Sequence, residues 1–365
     1  MKVLSICGAR PNFMKIDPIL RAFDKRPGRF QSRLVHSGQH YDDAMSKIFF
    51  QELGIRQPDV YLGVGSGSHG EQTAAVLVGV EKLLVADRPD LVLTVGDVNS
   101  TMAATLAATK LQIPVAHVEA GLRSGDRTMP EEINRLVTDA ISDFLFTPSR
   151  DGDENLLREG VAADKIHFVG NVMIDTLLRC RDLAERSTVF ADLKLKKRQY
   201  ALVTLHRPSN VDHRPSLERL LSALSRIQER VDVIFPIHPR TAKRIAEHGF
   251  QPTLDRLTRL RLVPPLGYID FLALQSHAAM VLTDSGGIQE ETTVLGVPCL
   301  TMRENTERPI TIEQGTNRLV GSDPEKIVAE ALSILDGPPR KGRIPEGWDG
   351  KAAERIAEIL DRRLP

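Results

Sequence analysis

The chain has 365 residues, of which 26% are charged, and its 48 Lys and Arg balance 48 Asp and Glu to a formal charge of zero. This length suffices for two domains with separate hydrophobic cores. A balanced charge argues against a generally basic nucleic-acid-binding protein and against a protein of membrane surfaces. No apolar stretch approaches the roughly 20 residues of a membrane helix and no signal segment opens the chain, so we expect a soluble, cytoplasmic protein.

The three cysteines, Cys7, Cys180 and Cys299, lie far apart and show no spacing typical of metal ligands. Cys7 and Cys299 belong to apolar runs typical of strands. We therefore expect buried, reduced thiols rather than nucleophiles or redox groups.

Short strand-like runs alternate with helical patterns along the whole chain. The predicted strands are residues 3–7, 33–36, 91–95, 115–118, 144–146 and 167–169 in the first half, and 200–205, 233–237, 261–263, 280–283, 299–302 and 318–320 in the second. Helical patterns between them include 16–23, 101–111, 132–141, 217–226 and 288–295. Such alternation is typical of parallel sheets covered by helices on both faces.

Two such series predict an α/β protein with two Rossmann-like, doubly wound domains facing a cleft. We expect an N-terminal domain over residues 1–170 and a second domain over 171–345, with the boundary near 170–198. The polar stretch 185–198 has the composition of an exposed connection. Residues 346–365 include a terminal amphipathic helix, expected to pack back on the first domain.

Carboxylates follow two consecutive predicted strands. Asp97 comes after strand 91–95, Glu119 follows strand 115–118, and Glu131 comes shortly afterwards. Open parallel sheets bind ligands outside the carboxyl ends of their strands, so these groups are predicted to converge on one ligand. Their convergence suggests acid–base chemistry.

A turn of the second half is suited to phosphate. Strand 280–283 passes through Asp284, Ser285, Gly286 and Gly287 into a helix, whose free N–H groups and dipole favour an anion. Ser285 would add a hydroxyl donor, and Glu291 could accept hydrogen bonds from ribose hydroxyls. An ordinary capped strand–helix turn is the alternative.

A similar turn after strand 3–7 places Arg10 and Lys15 where they could meet a diphosphate. The alternative is that both side chains are simply exposed to solvent and bind no ligand. The turn lacks G-x-G-x-x-G, which lowers the odds of a tightly bound nicotinamide cofactor. His206 with Arg207, and His238, leave the ends of two strands and could bind phosphate or move a proton.

Two further segments have competing interpretations. The glycine-rich segment 63–70 is either a mobile lid or an ordinary exposed loop. Asp151 and Asp153 form a D-x-D pattern found in metal-dependent sugar transferases, but their place at a helix start favours a capping role. No other familiar metal spacing is present, and we predict no obligatory metal.

Taken together, several motifs resemble the UDP-N-acetylglucosamine 2-epimerase family over residues 1 to about 335. They are Gly8-Ala9-Arg10-Pro11, Gln39-His40, Gly96-Asp97, His117-Val118-Glu119-Ala120-Gly121-Leu122-Arg123, Pro130-Glu131-Glu132-Ile133-Asn134-Arg135, His206-Arg207, Asp284-Ser285-Gly286-Gly287-Ile288-Gln289-Glu290-Glu291 and Thr306-Glu307-Arg308-Pro309. The resemblance implies a glycosyltransferase-B type fold. In the non-hydrolysing branch it implies reversible conversion of UDP-N-acetylglucosamine to UDP-N-acetylmannosamine. UDP is eliminated to give 2-acetamidoglucal and then adds back, with no redox cofactor, and the family suggests a homodimer.

The resemblance also assigns residues. Asp97, Glu119 and Glu131 match the family's catalytic acids, with the acid and base roles left open. The residues expected to hold UDP or to lie close to it are Arg10, Lys15, His206, Arg207, Phe271, Ser285, Gly286, Gly287, Glu291, Arg303 and Arg308. His206 is also a catalytic candidate, while Phe271, expected beside the uracil, could equally be a core aromatic.

Departures from the family pattern affect regulation and substrate. This chain has His206-Arg207-Pro208-Ser209 and Gln39-His40-Tyr41-Asp42 where many bacterial members differ, which puts in doubt an allosteric site near Gln39 and His238. Alternatives are a 2-epimerase of a UDP-2,3-diacetamido-hexuronate, a hydrolysing epimerase, a glycosyltransferase of the same fold, or a regulator that binds a nucleotide sugar without turnover.

Overall fold

The computed structural model describes residues 1–38, 53–338 and 341–364, and of Arg10 it describes the backbone alone. The chain divides into two compact units. Unit 1 comprises Met1–Arg179 with Glu346–Pro365, and unit 2 comprises Cys180–Pro345. The division falls inside a continuous helix, Val172–Ala184, and within the region 170–198 where the sequence predicts a boundary.

The described residues of unit 1 form a seven-stranded parallel sheet in the order β3-β2-β1-β4-β5-β6-β7. The strands are β1 Lys2–Cys7, β2 Gln31–His36, β3 Val60–Tyr61, β4 Leu91–Val95, β5 Val115–Val118, β6 Phe144–Thr147 and β7 Ile166–Phe168. All five residues of β4 are buried, as expected for a central strand covered on both faces. The strand order reverses between β1 and β4, which makes their carboxyl ends the switch point of this sheet.

Helices cover this sheet. They are α1 Arg10–Asp24, α2 His69–Ala86, α3 Asn99–Lys110, α4 Pro130–Ile141, α5 Arg150–Arg158, a 3₁₀ turn Ala163–Lys165 and α6 Val172–Ala184. Pro18 lies inside α1 and has no N–H to donate to the Met14 carbonyl. The Thr176 hydroxyl of α6 donates to that carbonyl instead, at 2.6 Å, and so ties α6 to α1.

Unit 2 repeats the architecture with a six-stranded parallel sheet in the order β10-β9-β8-β11-β12-β13. The strands are β8 Tyr200–Thr204, β9 Asp232–Pro236, β10 Leu260–Val263, β11 Met280–Thr283, β12 Cys299–Thr301 and β13 Asn317–Leu319. Its switch point lies between β8 and β11. The predicted α/β class with two parallel, doubly wound sheets is therefore confirmed.

The helices of unit 2 are shorter on average. They are α7 Val189–Asp192, α8 Pro208–Val211, α9 Arg214–Ile227, α10 Pro239–Glu247, α11 Gln251–Leu254, α12 Tyr268–Ser276, α13 Gly286–Leu295, α14 Ile310–Glu313 and α15 Pro324–Asp336. On α9, Leu217, Leu220, Leu224 and Ile227 are fully buried at spacings of three and four residues. This apolar stripe faces the core of unit 2, together with Phe235 of β9.

The last helix, α16 Ala352–Arg363, belongs to unit 1. The Asp175 carboxylate of α6 accepts hydrogen bonds from the N–H groups of Ala352 and Ala353 at 3.1 and 2.8 Å, satisfying two donors at the start of α16. The buried Trp348 indole donates to the Pro148 carbonyl at 2.9 Å. These bonds fix the C-terminal segment on unit 1.

The structure differs from the sequence predictions at several local points. The two-residue strand β3 was not predicted, because it is too short to give a period-two pattern. Segment 63–70 ends inside α2, since Ser68 and Glu71 form a capping box that starts the helix at His69. Ser149, not Asp151, is the N-cap of α5, although Asp151 does lie in its first turn.

The cysteine and membrane expectations concern burial and helix length. Cys7, Cys180 and Cys299 are buried thiols, as predicted, and burial raises the pKa of Cys7 above its ordinary value and that of Cys299 to about 12. Within the described ranges no helix has the length and apolar content required to cross a bilayer.

Candidate functional site

The candidate site of unit 1 lies at the carboxyl ends of its central strands. After β4 the chain turns through Gly96, whose φ is +70°, and reaches Asp97. A Cβ atom at Gly96 would lie 3.2 Å from the Lys15 ammonium and 3.4 Å from a Glu119 carboxylate oxygen. The turn before Asp97 is therefore in close contact with Glu119, which brings two of the predicted acids to one place.

Asp97 is held by helix α4. The Arg135 guanidinium contacts the Asp97 carboxylate at 2.6 Å, and the Asn134 amide donates to the Asp97 carbonyl at 2.9 Å. Arg135 is itself buried and also pairs with Glu132 at 2.5 Å. An arginine fixed at two carboxylates has little freedom, so it orients the Asp97 side chain.

Glu119 occupies a strained backbone position. Its φ is +72°, a left-handed conformation that costs a residue with a side chain about 1–2 kcal/mol. The side chain is buried, and its carboxylate forms an ion pair with the Lys15 ammonium of α1. Lys15, expected beside a diphosphate, thus contacts one of the catalytic candidates in this structure.

Glu131 lies in the first turn of α4, on the same side as the residues that hold Asp97. Asn134 and Arg135 follow it at three and four positions, a spacing that places side chains on one helix face. Unlike the neighbouring Glu132, it is partly exposed. Helix α4 therefore presents Glu131 on the face that also carries the two residues holding Asp97.

Glu132 has a separate, structural role in this region. Its buried carboxylate accepts hydrogen bonds from the backbone N–H groups of Ser124 and Gly125, at 3.0 and 2.9 Å. Burial alone would raise the pKa of Glu132, but these bonds and Arg135 lower it below its ordinary value. Glu132 thus binds both the loop before α4 and Arg135, the residue that contacts the Asp97 carboxylate.

In unit 2, the end of β8 meets the end of β11 through His206 and Asp284. The His206 ring Nδ1 lies 2.8 Å from the buried Asp284 carboxylate, which also accepts from the backbone N–H groups of His206 and Arg207. Burial opposes ionisation of Asp284, but the His206 contact and the backbone donors lower its pKa below the ordinary value. This arrangement orients Nδ1 inward on a side chain that stays 38% exposed, so Nε2 is the ring nitrogen open to a ligand.

The turn predicted to bind phosphate forms a helix start. Ser285 is the N-cap of α13, and Gly286 and Gly287 are its first two helical residues. Ser285 and Gly287 are partly exposed, while Gly286 is buried. The N–H groups at such a helix start, together with its dipole, favour an anion.

A buried ionic cluster lies directly against Gly286. The Arg308 guanidinium contacts Glu290 at 2.8 Å and Glu307 at 2.5 Å, and Arg303 contacts Glu307 at 2.8 Å. Arg207 approaches Glu307 at 3.8 Å. Three guanidinium groups and two carboxylates of this cluster thus lie beside the turn, next to the Asp284 carboxylate.

Glu291 is buried inside unit 2. Its carboxylate accepts a hydrogen bond from the Tyr268 hydroxyl at 2.8 Å. Burial raises the pKa of Glu291 to about 7, despite that hydrogen bond. The carboxyl group therefore changes its charge near neutral pH, which matters for its predicted contact with ribose.

The remaining predicted residues lie at the starts of three helices or outside the described part of the chain. His238 is the N-cap of α10, where its ring Nδ1 accepts from the Arg240 N–H at 3.2 Å, and its ring centre lies 5.7 Å from that of His206. Phe271 is partly exposed in the first turn of α12, and so is not a core aromatic. Arg10 opens α1, with only its backbone described, and Gln39 lies outside the described residues.

No group of three or more His, Cys, Asp or Glu side chains within the described part of the chain could hold a metal ion. Asp153, of the D-x-D pattern, instead accepts a hydrogen bond from the Thr147 hydroxyl and pairs with Arg150 at 3.3 Å. Its surroundings are those of a helix start.

Several side chains that contact the predicted site residues had no role in the sequence predictions. Arg135, Asp284 and Glu307 all lie within motifs that the sequence displayed, yet each acts through another side chain. The signal available for Asp284 was its place directly after a buried strand, the same signal that identified Asp97. Nothing in the linear pattern indicated that Arg135 or Glu307 would be buried.

Comparison with known proteins gives full-length matches. A model of the family described as UDP-N-acetylglucosamine 2-epimerase matches residues 21–361. A UDP-N-acetylglucosamine 2-epimerase of Methanocaldococcus jannaschii is 45% identical over 99% of both chains. A UDP-2,3-diacetamido-2,3-dideoxy-D-glucuronate 2-epimerase of Pseudomonas aeruginosa is 41% identical, again over 99% of both.

The solved structures agree with these matches. The crystal structure of the M. jannaschii UDP-GlcNAc 2-epimerase in complex with UDP-GlcNAc and UDP superposes with a TM-score of 0.92. That match covers 99% of this chain and 100% of the other, at 45% identity. Similarity of this extent includes both units.

Proposed function

Because the chain belongs to the UDP-N-acetylglucosamine 2-epimerase family, we propose that it reversibly converts UDP-N-acetylglucosamine to UDP-N-acetylmannosamine. A carboxylate of unit 1 removes the proton at sugar C2 while the C1–oxygen bond breaks and its electron pair leaves with UDP. The product of this elimination is 2-acetamidoglucal, with a double bond between C1 and C2. UDP then adds back after a proton has been delivered to the opposite face of C2.

The observation that carries this proposal is the closeness of the Asp97 turn to Glu119 in unit 1, with Glu131 on the helix face that holds Asp97. Proton removal on one face and delivery on the other require two groups able to exchange protons with C2. Arg135 and Lys15 contact two of these carboxylates and would hold them in fixed positions. Preorganised groups of this kind reduce the entropy cost of reaching the transition state.

The residues of unit 2 support a role in holding UDP. The start of α13 would donate backbone N–H groups and the Ser285 hydroxyl to the diphosphate. The partly exposed His206 and the guanidinium groups of the arginine cluster would stabilise the phosphate as it leaves. Glu291 would accept a hydrogen bond from the ribose.

The experiment that tests the proposal is incubation with UDP-N-acetylglucosamine in D₂O, followed by proton NMR. We expect deuterium at C2 and both UDP-sugars in the mixture. Glu119→Gln should lose this exchange, whereas Glu81→Gln, a matched change at an exposed position of α2, should retain it. Unchanged substrate with the wild-type protein would refute this substrate assignment, and free N-acetylmannosamine would indicate hydrolysis instead.

A second candidate substrate is favoured by one comparison. The P. aeruginosa relative is named for a UDP-2,3-diacetamido-hexuronate, and it is nearly as similar to this chain as the M. jannaschii protein. The two substrates differ at sugar C3, where one has a hydroxyl and the other an acetamido group, and at C6, where one has a hydroxymethyl group and the other a carboxylate. Parallel incubations with both UDP-sugars, compared through kcat/KM, decide between them.

We also infer a homodimer from the family resemblance. Helix α2 offers an apolar surface for such contact, since Val78 and Val85 are 46% and 70% exposed. Light scattering of the purified protein gives its mass in solution. A mass of one chain across micromolar concentrations would refute the dimer.

A further inference from the structure

A buried histidine and a buried aspartate lie beneath the candidate acids of unit 1. His117 of β5 and Asp139 of α4 have side chains exposed by no more than 1%. The ring Nδ1 of His117 is 2.6 Å from the Asp139 carboxylate, and its Nε2 is 2.8 Å from the Gly96 carbonyl oxygen. Both side chains are therefore too deeply buried to contact a substrate directly.

The partners define where the protons are. The Gly96 carbonyl can only accept, so His117 Nε2 carries a proton. Asp139 also accepts from the Gly121 N–H at 3.0 Å and contacts the Arg123 guanidinium at 2.7 Å, which favours its ionised form. His117 Nδ1 therefore donates to it as well. Rotating the ring by 180° would place carbon atoms against both acceptors, so no other orientation satisfies them.

This pair connects the backbone turns that carry two of the acids. Gly96, which accepts from His117, directly precedes Asp97. Gly121, which donates to Asp139, lies two residues after Glu119, and both Glu119 and Gly121 have positive φ values, of +72° and +80°. A left-handed conformation at Glu119 persists only where its surroundings impose it.

We propose that His117 and Asp139 are positioning residues, which fix the turns of Asp97 and Glu119 through a doubly protonated imidazole ring. The proposal rests on the proposed function, since it assigns those two carboxylates to the reaction. The imidazole donates to one turn and, through the Asp139 carboxylate, holds the other. A displacement of about 1 Å in either acid would move it out of reach of the C2 proton.

The first test measures the imidazole directly. The protein contains 10 histidines, and ¹⁵N-labelled histidine allows long-range proton–nitrogen NMR of each ring. The His117 signals are assigned in the wild-type protein through contacts to the Gly96 α-protons, so no variant has to fold. We expect protons on both nitrogens. An unprotonated nitrogen would overturn the arrangement, whatever the enzyme activity.

The second test separates positioning from general stability. In His117→Gln and Asp139→Asn we expect kcat to fall about 100-fold, with KM for the UDP-sugar within about threefold of wild type. The amide introduced by Asp139→Asn would offer one acceptor oxygen to three donors, so both variants disturb the same turns. His167→Gln, the same change on strand β7, is the matched control and should leave kcat unchanged.

The outcomes are distinct. Unchanged kcat in His117→Gln would overturn the positioning role, even if both nitrogens carry protons. A parallel loss of kcat and UDP-sugar affinity in both variants would also overturn it, since that pattern reports general loosening. Absence of C2 exchange in the wild-type protein would refute the proposed function instead, and the NMR measurement would still decide the buried arrangement.

Discussion

Replacing Gly286 by alanine would test the link between the phosphate turn and the ionic cluster beneath it. The added Cβ would overlap Arg308 Nη1 and would lie 2.7 Å from a Glu307 carboxylate oxygen. Ordinary contacts of a Cβ are 3.4–4 Å, so Arg308 would have to move by about 1 Å. Its contact with Glu307, now 2.5 Å, would then exceed hydrogen-bond distance.

The magnitude follows from two known costs. Overpacking a filled interior costs about 1–3 kcal/mol. Removing one partner of a buried ion pair altogether costs about 3–5 kcal/mol, because the charge that remains has no compensating partner. Arg308 keeps its contact with Glu290, so we expect an intermediate loss of about 3 kcal/mol in the free energy of unfolding. UDP affinity should fall at least about tenfold, because in the proposed function the displaced turn supplies the phosphate donors.

The assays are urea denaturation and calorimetric titration with UDP. Gly70→Ala is the control, because a Cβ there has no neighbour within 4 Å, and it should change stability by less than about 1 kcal/mol. In the double variant with Arg308→Ala the overlap with Arg308 is relieved, so the loss should be smaller than the sum of the single losses. Wild-type stability and UDP affinity in Gly286→Ala would refute this reasoning.

Three further predictions concern single side chains. Arg135→Met should lower kcat about 100-fold while UDP affinity stays unchanged, because Asp97 loses the group that orients it; equal UDP affinity without any kcat loss would contradict this. Burial raises the pKa of Asp175 from 3.8 to about 6, so between these pH values the folded protein binds more protons than the unfolded chain. In urea titrations, the free energy of unfolding relative to Asp175→Asn should therefore fall by about 3 kcal/mol as the pH rises through that window. Burial raises the pKa of Glu291 to about 7, so its carboxylate is lost as the pH drops from about 8 to about 6. If that carboxylate accepts a hydrogen bond from ribose, calorimetric titration should show UDP-sugar affinity falling over this range, and Glu291→Gln should show no change with pH.

Strand positions were largely predictable because a buried parallel strand is a short apolar run between turn residues. Strand β4, for example, occupies residues 91–95 as predicted. Strand β3 could not be found this way, since two residues give no pattern and pairing with β2 alone defines it. The start of α2 was overlooked within a glycine-rich segment, although Ser68 and Glu71 have the spacing of a capping box.

The sequence by itself determined the kind of protein and the location of its candidate groups. Periodicity gave two parallel sheets, and the residues that end their central strands gave Asp97, Glu119 and the turn at Ser285. These features are local, because a strand end or a helix start is specified by a few neighbouring residues.

Only the tertiary structure decided which side chains orient those groups. Arg135 lies 38 positions from the Asp97 carboxylate that it contacts, Asp284 lies 78 positions from His206, and His117 meets Asp139 across 22. An ion pair between distant residues forms because both are carried to one point by separate elements and are buried there together, where the loss of hydration has to be compensated. Burial and pairing of this kind leave no periodic trace in the chain, so the support of the site became visible only in three dimensions.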